Sequence, residues 1–131
     1  NNMQKEISLI GWVNDKTEFF NSIDVFVLPS RFEPFGIVLL EAMLYGKPVV
    51  SSLAEGPTEI FAKHNEAAYL FAVEDIDGMA KQMKEAVTNQ QQAAQKSYNG
   101  YQLCEQNYSL EVVADKLNNA LNNFLFGKEG S

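Results

Sequence analysis

Residues 24–42 read Asp24-Val25-Phe26-Val27-Leu28-Pro29-Ser30-Arg31-Phe32-Glu33-Pro34-Phe35-Gly36-Ile37-Val38-Leu39-Leu40-Glu41-Ala42, and this stretch decides the fold class. Asp24 to Leu28 is β-branched and aromatic, continuously apolar after its first residue, and stopped by Pro29. A strand with no polar face belongs in a parallel sheet covered by helices on both sides. Gly36 to Tyr45 is a second apolar run, of helical length and closed by Gly46. Strand, loop and helix in this order make the first half of a right-handed βαβ crossover.

The same alternation continues in both directions. Pro48 to Ser52 is the next strand, Gly56-Pro57-Thr58-Glu59 a helix start with Pro57 in its first turn, and Ala68 to Phe71 a further short strand. Upstream, Ile7 to Ile10 reads as a short buried strand ended by Gly11. Asp15 to Ser22 reads as a short helix whose apolar side is Phe19, Phe20 and Ile23. Downstream the chain turns helical. Ile76, Met79, Ala80, Met83 and Val87 fall on one face of a helix and are expected to face the core. A second helix follows the polar break at 89–92 and runs to about Asn107. A last one is capped by Ser109, with Val113, Leu117, Leu121 and Phe124 as its stripe. The expected fold is α/β: a Rossmann-like parallel sheet flanked by helices, with extra C-terminal helices. Ordinary doubly wound domains have about five or six strands, whereas three or four are readable here. The expectation is therefore a partial domain over residues 1–126, cut from a larger protein, with a disordered tail at 127–131.

Composition narrows the function classes. The 131 residues are 46% hydrophobic and 21% charged, with a net charge of −7. That balance suits a globular protein and argues against a general nucleic-acid or anionic-membrane surface, which needs clustered Lys and Arg. The lone Cys104 has no internal disulfide partner, and with the lone His64 it makes a zinc site of the usual kind very poor chemistry. No apolar run approaches the roughly 20 residues that span a bilayer. The expected location is cytoplasmic, with no metal.

Chemistry concentrates between Pro29 and Ala42. A loop that leaves a buried strand and opens a helix lies at the C-terminal edge of the sheet, where open α/β folds bind ligands. Phe35, Gly36 and Ile37 offer free amides at a helix start, and the helix dipole favours an anion such as phosphate there. Glu41 sits in a helix that is apolar nearly all round, where a carboxylate needs hydrogen bonds. It lies about 7–8 Å along the axis from Gly36, at the usual rise per residue, a reach that suits ribose hydroxyls. Glu33, in the loop, suits a group on the other side of the phosphates. Read from these residues alone, a structural role is equally open. Glu41 could bond backbone or Lys47, and Glu33 could serve only as first-turn charge.

Glu33 and Glu41, with seven residues between them and Pro-Phe-Gly after the first, resemble the paired-glutamate motif of retaining glycosyltransferases of the GT-B architecture. The resemblance is to the bacterial family-four enzymes of the group 1 type, and to their C-terminal, donor-binding domain. Gly11-Trp12-Val13, Asp24 to Ser30, Gly46-Lys47-Pro48-Val49-Val50, Gly56-Pro57-Thr58-Glu59-Ile60 and Tyr108-Ser109-Leu110 follow that family's order and spacing. The resemblance implies binding of a nucleotide-diphosphate sugar, as substrate and not cofactor, and transfer to an acceptor hydroxyl with retention. It implies that Glu33 is catalytic and approaches the donor sugar. Glu33, Pro34, Phe35, Gly36, Ile37 and Glu41 become donor-binding, with Glu41 on the ribose and the three amides on the diphosphate. Trp12 and Val13 resemble positions beside the nucleobase, although Trp12 is equally well a core aromatic.

Three departures qualify the resemblance. In the family a diphosphate-neutralising Arg and Lys map before Ile7, and this chain is expected to lack both them and the acceptor-binding N-terminal domain. Weak donor binding and little or no transfer are expected of this chain alone, with any peripheral membrane association left to the absent domain. Glu55, in Leu53-Ala54-Glu55-Gly56, stands where the family commonly has glycine, and beside a diphosphate it is expected to point away or to alter donor choice. Glu66-Ala67-Ala68 replaces the family's usual Asn-Gly turn. A nucleotide- or sugar-binding module without transfer, or an epimerase of the same architecture, are the competing functions.

Overall fold

The computed structural model describes residues 3, 5–108 and 110–127, without the side chains of 110, 112, 113, 116, 117 and 120. The chain runs α1 (Lys16–Ser22), β1 (Phe26–Leu28), α2 (Ile37–Leu44), β2 (Val49–Ser52), α3 (Glu55–Phe61), a 3₁₀ turn (Asn65–Ala67), β3 (Tyr69–Phe71), α4 (Ile76–Thr88), α5 (Gln90–Asn107) and α6 (Leu110–Leu125). The three strands pair in parallel in the order β1-β2-β3. The helix cap expected at Ser109, the side chains of the stripe positions Val113 and Leu117, and the tail at 128–131 lie outside what is described.

Strand alternation assigns the two faces of the sheet. In register, Phe26 stands beside Val49, and Leu28 beside Ser51 and Leu70. Of this row Phe26, Leu28, Val49 and Leu70 face a core of Phe20, Leu39, Ala42, Met43, Ile60, Phe61, Leu103 and Cys104, supplied by α1, α2, α3 and α5. Val27, Val50 and Tyr69 form the opposite row and meet Ala86 and Met79 of α4. Helices on both faces of a parallel sheet explain why these strands lack a polar face.

Two expectations are corrected. Residues 7–10 form no strand: Ile7 is 62%, Leu9 98% and Ile10 64% exposed. An apolar run of four residues becomes a strand only where a sheet edge takes up its N–H and C=O groups, and β1, the edge strand, gives it no ladder. The α4 stripe is also narrower than its spacing suggested. Met79 packs on the sheet and Ala86 is buried, whereas Ile76, Met83 and Val87 are exposed. A three-stranded face is too narrow to cover the whole stripe. On α6, Leu121 and Phe124 are exposed, as expected for a stripe without its cover.

The loop after β1 is held down by the two segments beside it. The Ser52 hydroxyl donates to the Ser30 carbonyl at 2.6 Å. The Gly56 amide, in the first turn of α3, donates to the Glu33 carbonyl at 2.6 Å. A Cβ on Gly56 would sit 2.6 Å from the Phe35 carbonyl carbon, 2.7 Å from the Glu33 oxygen and 2.8 Å from the Gly36 nitrogen. Only glycine permits that approach of one backbone to another. Replacing Gly56 with Ala is therefore expected to cost about 1–3 kcal/mol, the usual range for overpacking, read as a lower urea midpoint. An unchanged midpoint would refute the close contact.

Cys104 is fully buried on α5, with its Sγ 3.7 Å from the Leu40 carbonyl oxygen. Burial, with a smaller push from Glu105, raises its thiol to about 11. Thiolate is the reactive form, so iodoacetamide at pH 8 should modify the folded chain no faster than it unfolds. Rapid native labelling would contradict this packing.

Candidate nucleotide-sugar site

Parallel strands place all their C-terminal ends on one edge of the sheet, and the loops after β1, β2 and β3 gather there. Gly36, at φ +71°, is the N-cap of α2 and is buried. A Cβ on it would lie 2.9 Å from Ile60 Cδ1. The left-handed turn requires glycine. Ahead of it, Pro34 and Phe35 are exposed, and Ile37 behind it is 59% exposed. The Ile37 amide, in the first helical turn, has no intrahelical acceptor.

Glu33 is half-buried and folds back on the helix start, with its Oε1 accepting the Gly36 amide at 3.0 Å. The carboxylate thus occupies one of the positions expected to hold an anion. Its own backbone is fixed from outside: its N–H donates to Glu55 Oε2 at 3.3 Å, and its carbonyl takes the Gly56 amide. Glu55, expected to point away from a diphosphate or to alter donor choice, thus lies against the loop. It turns inward because the Glu33 amide gives it a donor.

Glu41 lies on the second turn of α2 with 27% of its side chain exposed. Its partner is neither backbone nor Lys47 but Lys16, whose Nζ is 3.2 Å from Oε1 and 3.1 Å from Oε2. The structure thus brings Glu33, Phe35, Gly36, Ile37 and Glu41 together around the start of one helix. Trp12 and Val13 are not tied in. Trp12 is 89% exposed, which removes the core reading, and Val13 is half-buried. Among the described residues, no hydrogen bond, ion pair or ring contact joins either to the loop.

A neighbouring cleft of about 350 Å³ opens between Pro29, Arg31, Phe71, Glu74 and Ile76. Arg31 lines it, with its Nε 3.0 Å from Glu74 Oε1 in an exposed ion pair. Glu74 sits at φ +66°, the one non-glycine residue with positive φ among those described. Sequence reasoning missed Lys16 and Glu74. Lys16 had no signal, since its partner is 25 positions away. Glu74 had only the neighbouring Asp75, whose Oδ1 caps α4 through the Gly78 amide at 2.9 Å. Among the described residues, no cluster of His, Cys, Asp or Glu forms a metal site, and no helix is long and apolar enough to cross a membrane.

Comparison with known proteins identifies the family and the fold. The family model for glycosyl transferases group 1 matches residues 1–103. The chain is 30% identical over 109 residues to the lipopolysaccharide core biosynthesis glycosyltransferase LpsE of Rhizobium meliloti (strain 1021), covering 83% of this chain and 32% of that protein. It is 26% identical over 124 residues to the capsular polysaccharide biosynthesis glycosyltransferase CapM of Staphylococcus aureus, covering 95% and 32%. The chain thus spans about a third of the length of these curated relatives. Among solved structures, the C-terminal domain of a glycosyl transferase group 1 family protein (LpcC) from Francisella tularensis aligns with a TM-score of 0.73 at 26% identity, over 83% of this chain and 57% of that one. Anabaena Alr3699/HepE in complex with UDP-glucose aligns at 0.83, over 93% of this chain and 34% of that one, and its 24% identity speaks to the fold. The Rossmann-like arrangement is the one found in GT-B glycosyltransferases. The chain belongs to the glycosyl transferases group 1 family.

Proposed function

We propose that this chain binds the nucleotide-diphosphate sugar donor of a retaining glycosyltransferase, which transfers the sugar to an acceptor hydroxyl. The observation that carries the reading is the placing of Glu33, the Gly36 amide and Glu41 around the N-terminus of α2, at the C-terminal edge of a parallel sheet. Family membership supports it, as do the fold relatives solved with UDP and with UDP-glucose.

The division of labour follows from position. The diphosphate lies at the Phe35, Gly36 and Ile37 amides, where the helix dipole and N–H groups without intrahelical acceptors favour negative charge. The ribose hydroxyls donate to Glu41. In transfer the anomeric C–O bond to the β-phosphate breaks, the diphosphate leaves with the electron pair, the acceptor hydroxyl oxygen bonds to the anomeric carbon on the same face, and its proton passes to the departing β-phosphate oxygen. Amides aimed at the leaving group stabilise the charge that develops there, so the proposal includes no metal. Glu33 has to exchange the Gly36 amide for a donor-sugar hydroxyl, and that exchange frees the amide for phosphate. The nucleobase is assigned to the side of Trp12 and Val13, and Pro34 keeps the loop turned so that Glu33 faces the sugar. The acceptor and a full rate of transfer belong to a partner domain, since the chain covers a third of its relatives. The single cysteine supports a cytoplasmic setting.

Titration of the ¹⁵N-labelled chain with UDP, GDP and ADP, and with their glucose forms, tests the reading. Saturable shifts are expected at Phe35, Gly36 and Ile37. Glu41→Ala should weaken the preferred nucleotide by about tenfold or more, the loss expected for hydrogen bonds to a charged acceptor. Shifts confined to the Arg31–Glu74 cleft, or none with any nucleotide, would contradict it.

A further inference from the structure

Lys16 holds Glu41 with both carboxylate oxygens engaged, at 3.2 and 3.1 Å. The pair bridges α1 and α2, two helices that are also joined elsewhere. Thr17 Oγ1 and the Tyr45 hydroxyl lie 2.8 Å apart, and the Phe20 and Tyr45 rings stack at 4.9 Å between centroids. Phe20 is buried in the core beneath them. The docking of α1 on α2 therefore does not depend on the ion pair.

The pair also contributes little to either helix by itself. Lys16 is 65% exposed on its side chain, where an ion pair adds little stability. Asp15 caps α1 by accepting the Glu18 amide at 3.0 Å, and this puts Lys16 in the first helical turn. A cation there is the wrong charge for the helix dipole. What Lys16 does achieve is to set the orientation of a carboxylate that otherwise carries three free torsions.

Building on the reading of Glu41 as the ribose acceptor, we infer that Lys16 is a positioning residue for the ribose subsite. It presets the Glu41 carboxylate so that the oxygens present their remaining lone pairs to the two ribose hydroxyls. An ionised carboxylate has about four acceptor sites, so one ammonium and two hydroxyls fit together. Lys16 touches neither sugar nor phosphate in this arrangement. Its contribution is the ordering of Glu41 before the nucleotide arrives, which lowers the cost of binding.

The test compares a ribonucleoside diphosphate with its 2′-deoxy form on the wild-type chain, Lys16→Met, Lys16→Arg and Thr17→Val. UDP and 2′-deoxy-UDP are the probes, with dissociation constants taken from amide shifts and stability from urea denaturation. The wild type should prefer the ribo form. Lys16→Met should weaken UDP by about threefold to tenfold, the range for one ordered side chain, and leave 2′-deoxy-UDP closer to its wild-type value. Lys16→Arg should restore most of the preference, and Thr17→Val, which loosens the helix contact without touching Glu41, should keep it. A wild type that does not discriminate between the two nucleotides overturns the ribose role of Glu41 itself. A normal wild-type preference that persists in Lys16→Met overturns the role of Lys16 alone, as does tighter UDP binding in that variant, which would make Lys16 a competitor for the carboxylate. Equal weakening of both nucleotides by Lys16→Met and Thr17→Val alike would reduce it to helix packing.

Discussion

The contact on which the site depends is the approach of Gly56 to the backbone of residues 33–36. The Gly56 amide reaches the Glu33 carbonyl at 2.6 Å, in a space that no side chain shares. Through it the first turn of α3 is locked to the loop that opens α2. The Ser52 hydroxyl, bonded to the Ser30 carbonyl, ties the start of the same loop to the end of β2. Three successive crossover elements thus meet on one short stretch of chain. Its residues expose amides at a helix start without having to order a long loop on binding, and preorganisation of that kind is where much binding free energy is saved.

The two glutamates sit in different environments. Glu33 belongs to the held loop and spends its carboxylate on the Gly36 amide, so without ligand it acts as the helix's own anion. Glu41 projects from the second turn and spends its carboxylate on Lys16. Each is satisfied by a group that a donor would replace or share. This resolves the problem of keeping a carboxylate on a largely apolar helix, where an unpartnered charge is costly. Under the proposed function, a donor displaces Glu33 from the Gly36 amide and shares Glu41 with Lys16.

Much of this was legible in the chain itself. The continuous apolar character of 25–28 reported a parallel sheet covered on both faces, and the cross-strand rows bear that out. The loop from Pro29 to Gly36 announced itself by position, after a buried strand and before a helix. What the chain hid were contacts set by tertiary distance. Lys16 reaches Glu41 across 25 positions, and Glu55 turns inward to the Glu33 amide across 22. No local pattern encodes either. The run at 7–10 failed in the opposite way: its residues suit a strand, but the edge of β1 offers it no ladder. Met83 and Val87 failed because helical spacing reports which residues share a face, not how much of that face the sheet can cover.

A crystal structure of the chain with a bound nucleoside diphosphate would test the central claim most directly. The account predicts phosphate oxygens within hydrogen-bond distance of the Gly36 or Ile37 amide, Glu33 turned off Gly36, and ribose hydroxyls on Glu41. A nucleotide lodged instead in the Arg31–Glu74 cleft, with Glu33 still on the Gly36 amide and Glu41 untouched, would contradict it.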